Sequence, residues 1–224
     1  MKILFVTATP FEVKNLMLWL NAVLEKKSDY HFQKDKLEIK ILITGVGMVF
    51  TAYAMGKVLN NEKFNLVINA GVAGAYDTNL QLGDVVNVTT EKFGDIGTEE
   101  NNGEFTDIYD LELAIPDQSP FTGKTMRNES AEKFDFLQKV NGITVNKTNG
   151  TEETIERIKN KYAPQVETME GAAVFYACLM ENIPFLEIRG ISNYVEPRNK
   201  DNWELTKAIA NLNKVLIDMM ELFG

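Results

Sequence analysis

The sequence predicts a three-layer α/β/α fold, a single domain over residues 1–224 in which helices cover both faces of a mixed, mostly parallel sheet. First, short apolar segments of strand length alternate along the chain with amphipathic segments of helical periodicity. Second, the segment Leu66–Asn69 begins with three consecutive apolar residues, as strands buried inside a parallel sheet do. Third, 224 residues with 45% hydrophobic and 25% charged composition are ordinary for one globular domain.

The N-terminal third contains three predicted strands and two predicted helices. A β-branched and aromatic run over residues 2–8 stops at Pro10. Apolar side chains then recur at helical spacing at Val13, Leu16, Met17 and Leu20. The next predicted elements are a strand over Leu37–Thr44, a helix over Met48–Leu59 and a strand over Leu66–Asn69.

The rest of the chain continues this alternation. The predicted elements are a strand over Val85–Phe93, a helix over Ser130–Val140, a strand over Ile143–Asn146, a helix over Glu152–Tyr162, a helix after Glu170, a strand over Pro184–Asn193 and a last helix. The last helix carries one apolar stripe, expected to pack against the sheet, at Leu205, Ile209, Leu212, Leu216 and Met219. Gly94 to Gly123 interrupts the pattern and is either a solvated acidic loop or a lid or interface arm.

Composition excludes several classes of function. The net charge of −9 argues against nucleic acid as a partner, since such binders need clustered Lys and Arg. The N-terminus has too few apolar residues for a signal peptide or a membrane span, so we expect a cytoplasmic protein. The single Cys178 forms no internal disulfide, and the single His31 supports neither a histidine metal site nor a Ser-His-Asp triad. We expect no metal and no cofactor.

Two glycine turns follow predicted strands. They are Gly45-Val46-Gly47 and Gly71-Val72-Ala73-Gly74. Glycine in such a turn exposes backbone N–H groups and lets a ligand lie against the chain. Neither turn completes a dinucleotide fingerprint or a P-loop, and each by itself is compatible with simple turn chemistry.

Four polar residues are predicted at the same edge of the sheet. Glu12 and Glu170 stand at helix starts, and Arg189 and Asn193 lie toward the end of a hydrophobic strand. Individually, the carboxylates suit a helix dipole and Asn193 suits a turn. Together, two carboxylates and an arginine can hold and polarise a water, or Glu170 can bind two adjacent sugar hydroxyls. The amide of Asn193 can both donate and accept, which suits the N7 edge of a purine.

These residues carry a family resemblance that covers nearly the whole chain. The chain resembles the nucleoside phosphorylase and nucleosidase superfamily, most closely its methylthioadenosine/S-adenosylhomocysteine nucleosidases and futalosine hydrolases. The segments that match are Met1 to Ile3 through Glu12-Val13, Thr44 to Gly47, Asn69 to Gly74, Leu82 to Val86, Met169 to Ala173 and Arg189 to Asn193.

The resemblance implies roles for individual residues. Glu12 matches the carboxylate that activates water, and Arg189 matches the arginine beside that water. Glu170 matches the residue that binds the ribose hydroxyls, and Met169 the residue that packs on the sugar. The segment from Val145 through Lys147 to Thr148 matches the residues whose backbone binds the base in the family. Val72, Ala73 and Gly74 match residues that line the base and the sugar. The resemblance also implies a homodimer with the partner chain near the active site.

Two departures from the family pattern narrow the expected reaction. Phosphorylases of the superfamily carry an arginine where this chain has Asn69, and no arginine occurs before Arg127, which favours water over phosphate as the nucleophile. Adenine-specific nucleosidases carry an aspartic acid at the position of Asn193, and an amide suits a 6-oxopurine better. The sequence therefore predicts a nucleosidase that releases hypoxanthine.

The run from Asn193 to Arg198, followed by Trp203, is similar to the futalosine hydrolase pattern. The substrate implied by this similarity is futalosine, a purine nucleoside of menaquinone biosynthesis that carries an aromatic carboxylate beyond the ribose. Arg198 and the stretch from Gly94 to Gly123 are expected to receive that group. Two alternatives stay open: a methylthioadenosine/S-adenosylhomocysteine nucleosidase, and a nucleoside-binding protein without catalysis.

Overall fold

The computed structural model describes residues 1–222, so the last two residues of the predicted domain lie outside the described residues. Within this range eleven strands form one sheet and two form a separate hairpin. The strands are β1 (Lys2–Thr7), β2 (Glu25–Ser28), β3 (His31–Lys34), β4 (Leu37–Ile43), β5 (Leu66–Ala75), β6 (Val85–Glu91), β7 (Gly97–Glu99), β8 (Phe105–Asp107), β9 (Phe121–Thr122), β10 (Thr125–Arg127), β11 (Gln138–Thr144), β12 (Val166–Thr168) and β13 (Phe185–Tyr194). The helices are α1 (Lys14–Val23), α2 (Met48–Asn61), α3 (Glu152–Tyr162), α4 (Gly171–Met180) and α5 (Leu205–Glu221).

The sheet is mixed, and its parallel part is central. Strand β5 pairs in parallel with β1 and β13, and β1 pairs in parallel with β4. Antiparallel pairs occur at the two ends of the sheet, between β12 and β5, and between β13 and β6. Because β13 pairs with both β5 and β6, the sheet closes locally into a small barrel of β5, β12, β11, β6 and β13. The expected α/β class with a mixed sheet is confirmed.

The two faces of β1 show why the fold has three layers. Ile3 and Phe5 pack in one apolar cluster with residues of α1 and α5. Leu4 and Val6 point to the opposite face and pack in a second cluster with residues of α2 and α4. Alternation along a strand thus sends successive side chains into two helical layers. Among residues 1–222, no helix combines the length and the apolar composition that a membrane crossing requires.

The helix predicted over Ser130–Val140 is wrong. A 3-10 turn over Glu129–Lys133 is capped by the Asn128 side chain, and the chain then enters β11. Strand β11 pairs in parallel with both β6 and β12, so tertiary pairing overrides the local helical spacing of apolar residues. The strand predicted over Ile143–Asn146 is the end of the same β11. The hairpin of β2 and β3 was also not predicted, because its exposed, polar sequence lacks an apolar strand pattern.

The stretch from Gly94 to Gly123 forms an arm that contains the β7–β8 hairpin. Lys161 of α3 anchors the arm, since its Nζ donates to the Phe105 carbonyl at 3.0 Å and to Asp110 Oδ2 at 3.0 Å. Two lysines, Lys124 and Lys161, hold the pKa of the Asp110 carboxyl down at about 2. The arm therefore packs against α3.

Candidate active site

A cavity of about 370 Å³ lies at the carboxyl ends of the central parallel strands. Its wall comes from the turn after β1, the end of β5, the β12–α4 junction and the end of β13. Parallel strands end at the same edge of a sheet, which is where open α/β folds bind ligands. Of the residues predicted for the site, the wall includes Glu12, Val72, Ala73, Gly74, Thr148, Met169, Glu170 and Asn193.

Glu12 is held by donors from two strand ends. It lies in the 3-10 turn Pro10–Val13 and is only 7% exposed. Its Oε2 accepts from Thr7 Oγ1 at 2.9 Å and from the Thr9 N–H at 2.9 Å. Its Oε1 accepts from the Val72 N–H at 3.1 Å, on the neighbouring strand β5. A carboxylate that accepts from several donors is fixed in orientation and suited to accept a proton from a bound water.

Glu170 lies directly before α4 and faces the first glycine turn. Its Oε1 accepts from the Gly47 N–H at 2.8 Å. Gly47 has a φ of +107°, a backbone conformation that residues other than glycine rarely adopt. Burial raises the pKa of Glu170, while the Arg189 guanidinium and the Gly47 N–H oppose that rise.

Arg189 lies behind the cavity wall and is 1% exposed. Its Nε donates to Glu187 Oε1 at 2.7 Å. The guanidinium reaches Glu12 across Gly71, where a Cβ would clash with Arg189 Nη1 and lie 2.7 Å from Glu12 Oε1. Burial lowers the pKa of Arg189, but the carboxylates of Glu187, Glu170 and Glu12 outweigh it and raise the pKa. A permanent positive charge therefore lies close enough to interact with both Glu12 and Glu170.

Two fully buried carboxyl groups, Glu91 and Glu187, lie behind Arg189. Burial raises the pKa of both, and burial together with the nearby Glu187 carboxylate raises that of Glu91 well above its usual value. Gly171 makes room for them, since a Cβ there would lie 2.5 Å from Glu187 Oε1 and from Glu91 Oε1. Sequence reasoning did not find these two residues. For Glu187, the available signal in the sequence was a carboxylate between two apolar strand residues, Leu186 and Ile188.

Asn193 lies opposite Gly74 in the β13–β5 register. Its Oδ1 accepts from Ser192 Oγ at 2.8 Å, and its Nδ2 donates to the Tyr194 carbonyl at 3.0 Å. An amide nitrogen carries two hydrogens, so one N–H remains for a ligand in the cavity. These contacts make Asn193 a fixed hydrogen-bond donor at the cavity wall.

Glu167 is a cavity residue that sequence reasoning missed. It belongs to the short strand β12 and is 5% exposed. Its Oε2 accepts from Tyr76 Oη at 2.8 Å and from Asn149 Nδ2 at 2.6 Å. Burial raises the pKa of Glu167, while the Asn149 and Tyr76 hydrogen bonds lower it. The available signal was a charged side chain between two buried neighbours, Val166 and Thr168.

Other predicted site residues divide between the cavity and its surroundings. Val145 is buried and Lys147 is exposed, and neither lines the cavity, which this segment reaches through Thr148 and Asn149. Arg198 does line it, with its guanidinium 5.5 Å from the centre of the Trp203 ring. No residue of the stretch from Gly94 to Gly123 is part of the wall within residues 1–222.

The fold and the cavity together define an α/β protein with a candidate ligand site at the carboxyl ends of its strands. The chain belongs to the phosphorylase superfamily, whose family model matches residues 2–222. A curated relative, the 5'-methylthioadenosine/S-adenosylhomocysteine nucleosidase of Staphylococcus aureus (strain bovine RF122 / ET3-1), is 29% identical over 164 residues, which are 71% of this chain and 70% of the relative. The family expected from the sequence is confirmed.

Solved structures show the same fold. The 5'-methylthioadenosine/S-adenosylhomocysteine nucleosidase of Colwellia psychrerythraea 34H, in complex with adenine, superposes with a TM-score of 0.77 at 22% identity over 99% of this chain and 95% of that one. The futalosine hydrolase of Helicobacter pylori strain 26695 superposes with a TM-score of 0.78 at 17% identity over 98% and 97%. At these identities the similarity establishes the shared fold.

Proposed function

We propose that this purine nucleosidase hydrolyses the N-glycosidic bond of futalosine and releases hypoxanthine, a step of menaquinone biosynthesis. The observation that carries the proposal is Asn193, an amide fixed by Ser192 and Tyr194 at the cavity wall. An amide N–H can donate to the N7 or the 6-oxygen of a 6-oxopurine, both of which accept hydrogen bonds. A carboxylic acid at this position would instead protonate N7 of a departing adenine.

Glu12 is the proposed general base. A water beside its carboxylate transfers a proton to Glu12 while the water oxygen bonds to the anomeric carbon. The electron pair of the C–N bond leaves with the purine, through a transition state with ribosyl-cation character. The purine anion, stabilised by the Asn193 N–H, takes up a proton from solvent water, and Glu12 returns its proton to solvent. Arg189 supports this role because its positive charge lies close to Glu12, on the other side of Gly71, and attracts the carboxylate.

Glu170 is the proposed ligand of the ribose hydroxyls. One carboxylate oxygen accepts from the Gly47 N–H, and a carboxylate has further acceptor capacity for two adjacent hydroxyls. Met169 is the neighbouring cavity residue proposed to pack on the sugar.

Water is favoured over phosphate by the charge of the cavity. Among its described wall residues the only cation is Arg198, while four carboxylates are present, Glu12, Glu167, Glu170 and Glu196. A phosphate dianion would be repelled by these carboxylates at short range. Asn69, where phosphorylases carry an arginine, is buried in β5 beside Glu187 of β13.

Arg198 is proposed to receive the carboxylate beyond the ribose. Its guanidinium lies over the Trp203 ring, so an aromatic acid would meet both a positive charge and an apolar ring. Its one side-chain hydrogen bond among the described residues is a long one of 3.5 Å, donated to Thr148 Oγ1.

A homodimer in the cytoplasm is the proposed assembly. Helices α2 and α4 expose neighbouring apolar side chains, of which Val49 is 75% and Tyr53 is 72% exposed. These two, with Tyr176 and Met180, lie along one surface depression that a second copy could cover. Sedimentation of the wild type as a dimer and of Tyr53→Glu as a monomer would support this arrangement.

A substrate screen tests the proposed function. Futalosine, aminofutalosine, inosine and methylthioadenosine are incubated with the protein, with and without phosphate, and released bases are separated by chromatography. We expect hypoxanthine from futalosine at a rate independent of phosphate. Phosphate-dependent turnover would contradict the hydrolase assignment.

Two other results would assign a different function. Adenine release from methylthioadenosine alone would establish the nucleosidase activity for which the Staphylococcus relative is named. Tight binding of a purine nucleoside without release of any base would indicate a binding protein that has no catalytic activity.

A further inference from the structure

We infer that Glu167 selects the base by accepting a hydrogen bond from the N1–H group of a 6-oxopurine. This inference rests on the proposed function, because it assigns a specificity residue to the same cavity. Glu167 would contact the purine edge on the side away from the group bound by Asn193.

The sheet register places Glu167 and Asn193 on either side of one glycine. Gly74 of β5 pairs with Glu167 of β12 and with Asn193 of β13. Residues in register on neighbouring strands carry their side chains on the same face of the sheet, so the backbones of Glu167 and Asn193 lie about 10 Å apart, two interstrand spacings. The register shifts between Ile191 and Asn193, but the Asn193 amide still lies on the side of β5 to which a Cβ of Gly74 would point. All three residues line the cavity.

Gly74 lets two side chains of the β13 segment lie close to the backbone of β5. A Cβ at position 74 would lie 2.9 Å from Val195 Cγ2 and 3.2 Å from Asn193 Nδ2. The absence of a side chain at position 74 therefore sets the Asn193 amide directly against β5, on the wall that Glu167 also lines. A purine in this part of the cavity would present one edge to Glu167 and the other to Asn193.

The contacts of Glu167 leave one of its oxygens available. Tyr76 Oη and Asn149 Nδ2 both donate to Oε2, at 2.8 and 2.6 Å. Among the residues that the structure describes, only the Asn149 N–H donates to Oε1, over a long distance of 3.3 Å. A buried carboxylate oxygen with spare acceptor capacity at a cavity wall is suited to a donor from a ligand.

The hydrogen-bonding pattern of a 6-oxopurine complements this pair of residues. Its N1 carries a hydrogen, whereas its 6-oxygen and N7 are acceptors. Glu167 can accept from N1–H while the Asn193 amide donates to the 6-oxygen or N7. A 6-aminopurine has an acceptor at N1, so the carboxylate would face a lone pair and exclude it.

A purely structural role for Glu167 predicts a different outcome. In that case the carboxylate serves only to hold Tyr76 and Asn149 in place. Replacement of Glu167 would then weaken the binding of all purines by the same factor, because none of them would contact Glu167 directly.

Binding of free bases to the wild type and to Glu167→Gln tests the inference. Hypoxanthine, 1-methylhypoxanthine and adenine are compared by isothermal titration calorimetry. We expect the wild type to bind hypoxanthine at least about 10-fold more tightly than the other two, as loss of a hydrogen bond to a charged group predicts. In Glu167→Gln this preference should fall to about threefold or less. If Glu167→Gln lowers the affinity for all three bases by the same factor, the inference is overturned.

Turnover separates this inference from the proposed function. If the wild type releases hypoxanthine from futalosine, but Glu167→Gln lowers kcat/KM equally for inosine, 1-methylinosine and adenosine, the inference is wrong and the hydrolase assignment stands. If no nucleoside is cleaved but the N1-dependent preference among free bases is present, the hydrolase assignment is wrong and the role of Glu167 stands.

Glu196→Gln is the matched control, since Glu196 also lines the cavity and contacts Asn202 at 2.7 Å. This substitution removes a carboxylate from the wall without touching the β12–β5–β13 register. The affinities for all three bases should change by the same factor in this variant. A loss of the N1-dependent preference here would attribute selectivity to the overall charge of the cavity and overturn the inference.

Discussion

The two ends of the cavity hold their polar groups in different ways. At the proposed sugar end, Glu12 and Glu170 accept mainly from backbone N–H groups, those of Thr9, Val72 and Gly47, and Glu12 accepts also from the hydroxyls of Thr7 and Thr9. At the proposed base end, Glu167 and Asn193 accept mainly from side chains, those of Tyr76, Asn149 and Ser192. Backbone donors persist through substitution, whereas side-chain donors change with it. The comparison suggests that reaction chemistry is built on the sugar end and base specificity on the base end.

Replacing Glu12 by Gln tests the sugar end most severely. The amide keeps the shape of the side chain but cannot accept the proton of water. We expect kcat/KM for futalosine to fall by about 10²- to 10⁴-fold, the usual contribution of a general base. Base preference should stay unchanged. The assay is hypoxanthine release, with Glu104→Gln in the exposed arm as the control.

The second variant, Glu170→Gln, weakens the proposed contact with the ribose. Loss of hydrogen bonds to a charged group costs about 1.5–3 kcal/mol, or roughly 10- to 150-fold in kcat/KM. The substitution should lower kcat/KM less for a 2'-deoxynucleoside than for the corresponding ribonucleoside. If both lose activity equally, Glu170 does not bind the 2'-hydroxyl.

The base end is tested by Asn193→Asp. A carboxylic acid at this position can protonate N7 of adenine, which an amide cannot do. We expect the ratio of kcat/KM for methylthioadenosine over inosine to rise about 10-fold, equivalent to ~1.4 kcal/mol. An unchanged ratio would mean that Asn193 does not contact the base.

Tyr76→Phe should have the smallest effect. The substitution removes one of the two side-chain donors to Glu167 Oε2. A single hydrogen bond contributes about 0.5–1.5 kcal/mol, so base selectivity should fall by roughly two- to tenfold. The midpoint of thermal unfolding should be about 2–4 °C lower than in the wild type. The factor by which Glu12→Gln lowers kcat/KM should be the same in Tyr76→Phe as in the wild type. A larger loss of kcat than of selectivity would contradict the division between the two ends.

Local sequence patterns determined much of the sugar end. Glu12 follows a strand, Gly47 closes a turn before a helix, and Glu170 precedes a helix, so each position follows from its immediate neighbours in the chain. Because parallel strands end at one edge, their convergence was predictable as well. The alternation of strands and helices likewise predicted the fold class.

Tertiary structure alone decided the place of Glu167 in the cavity and the elements that differ from those predicted. Strand β11 exists because β6 and β12 flank it, although the local pattern favours a helix over Ser130–Val140. Glu167 became a cavity residue through its register with Gly74, and its donors Tyr76 and Asn149 come from two other segments. The physical reason is that periodicity records which face of an element is buried, whereas strand register depends on pairings between residues far apart in the chain.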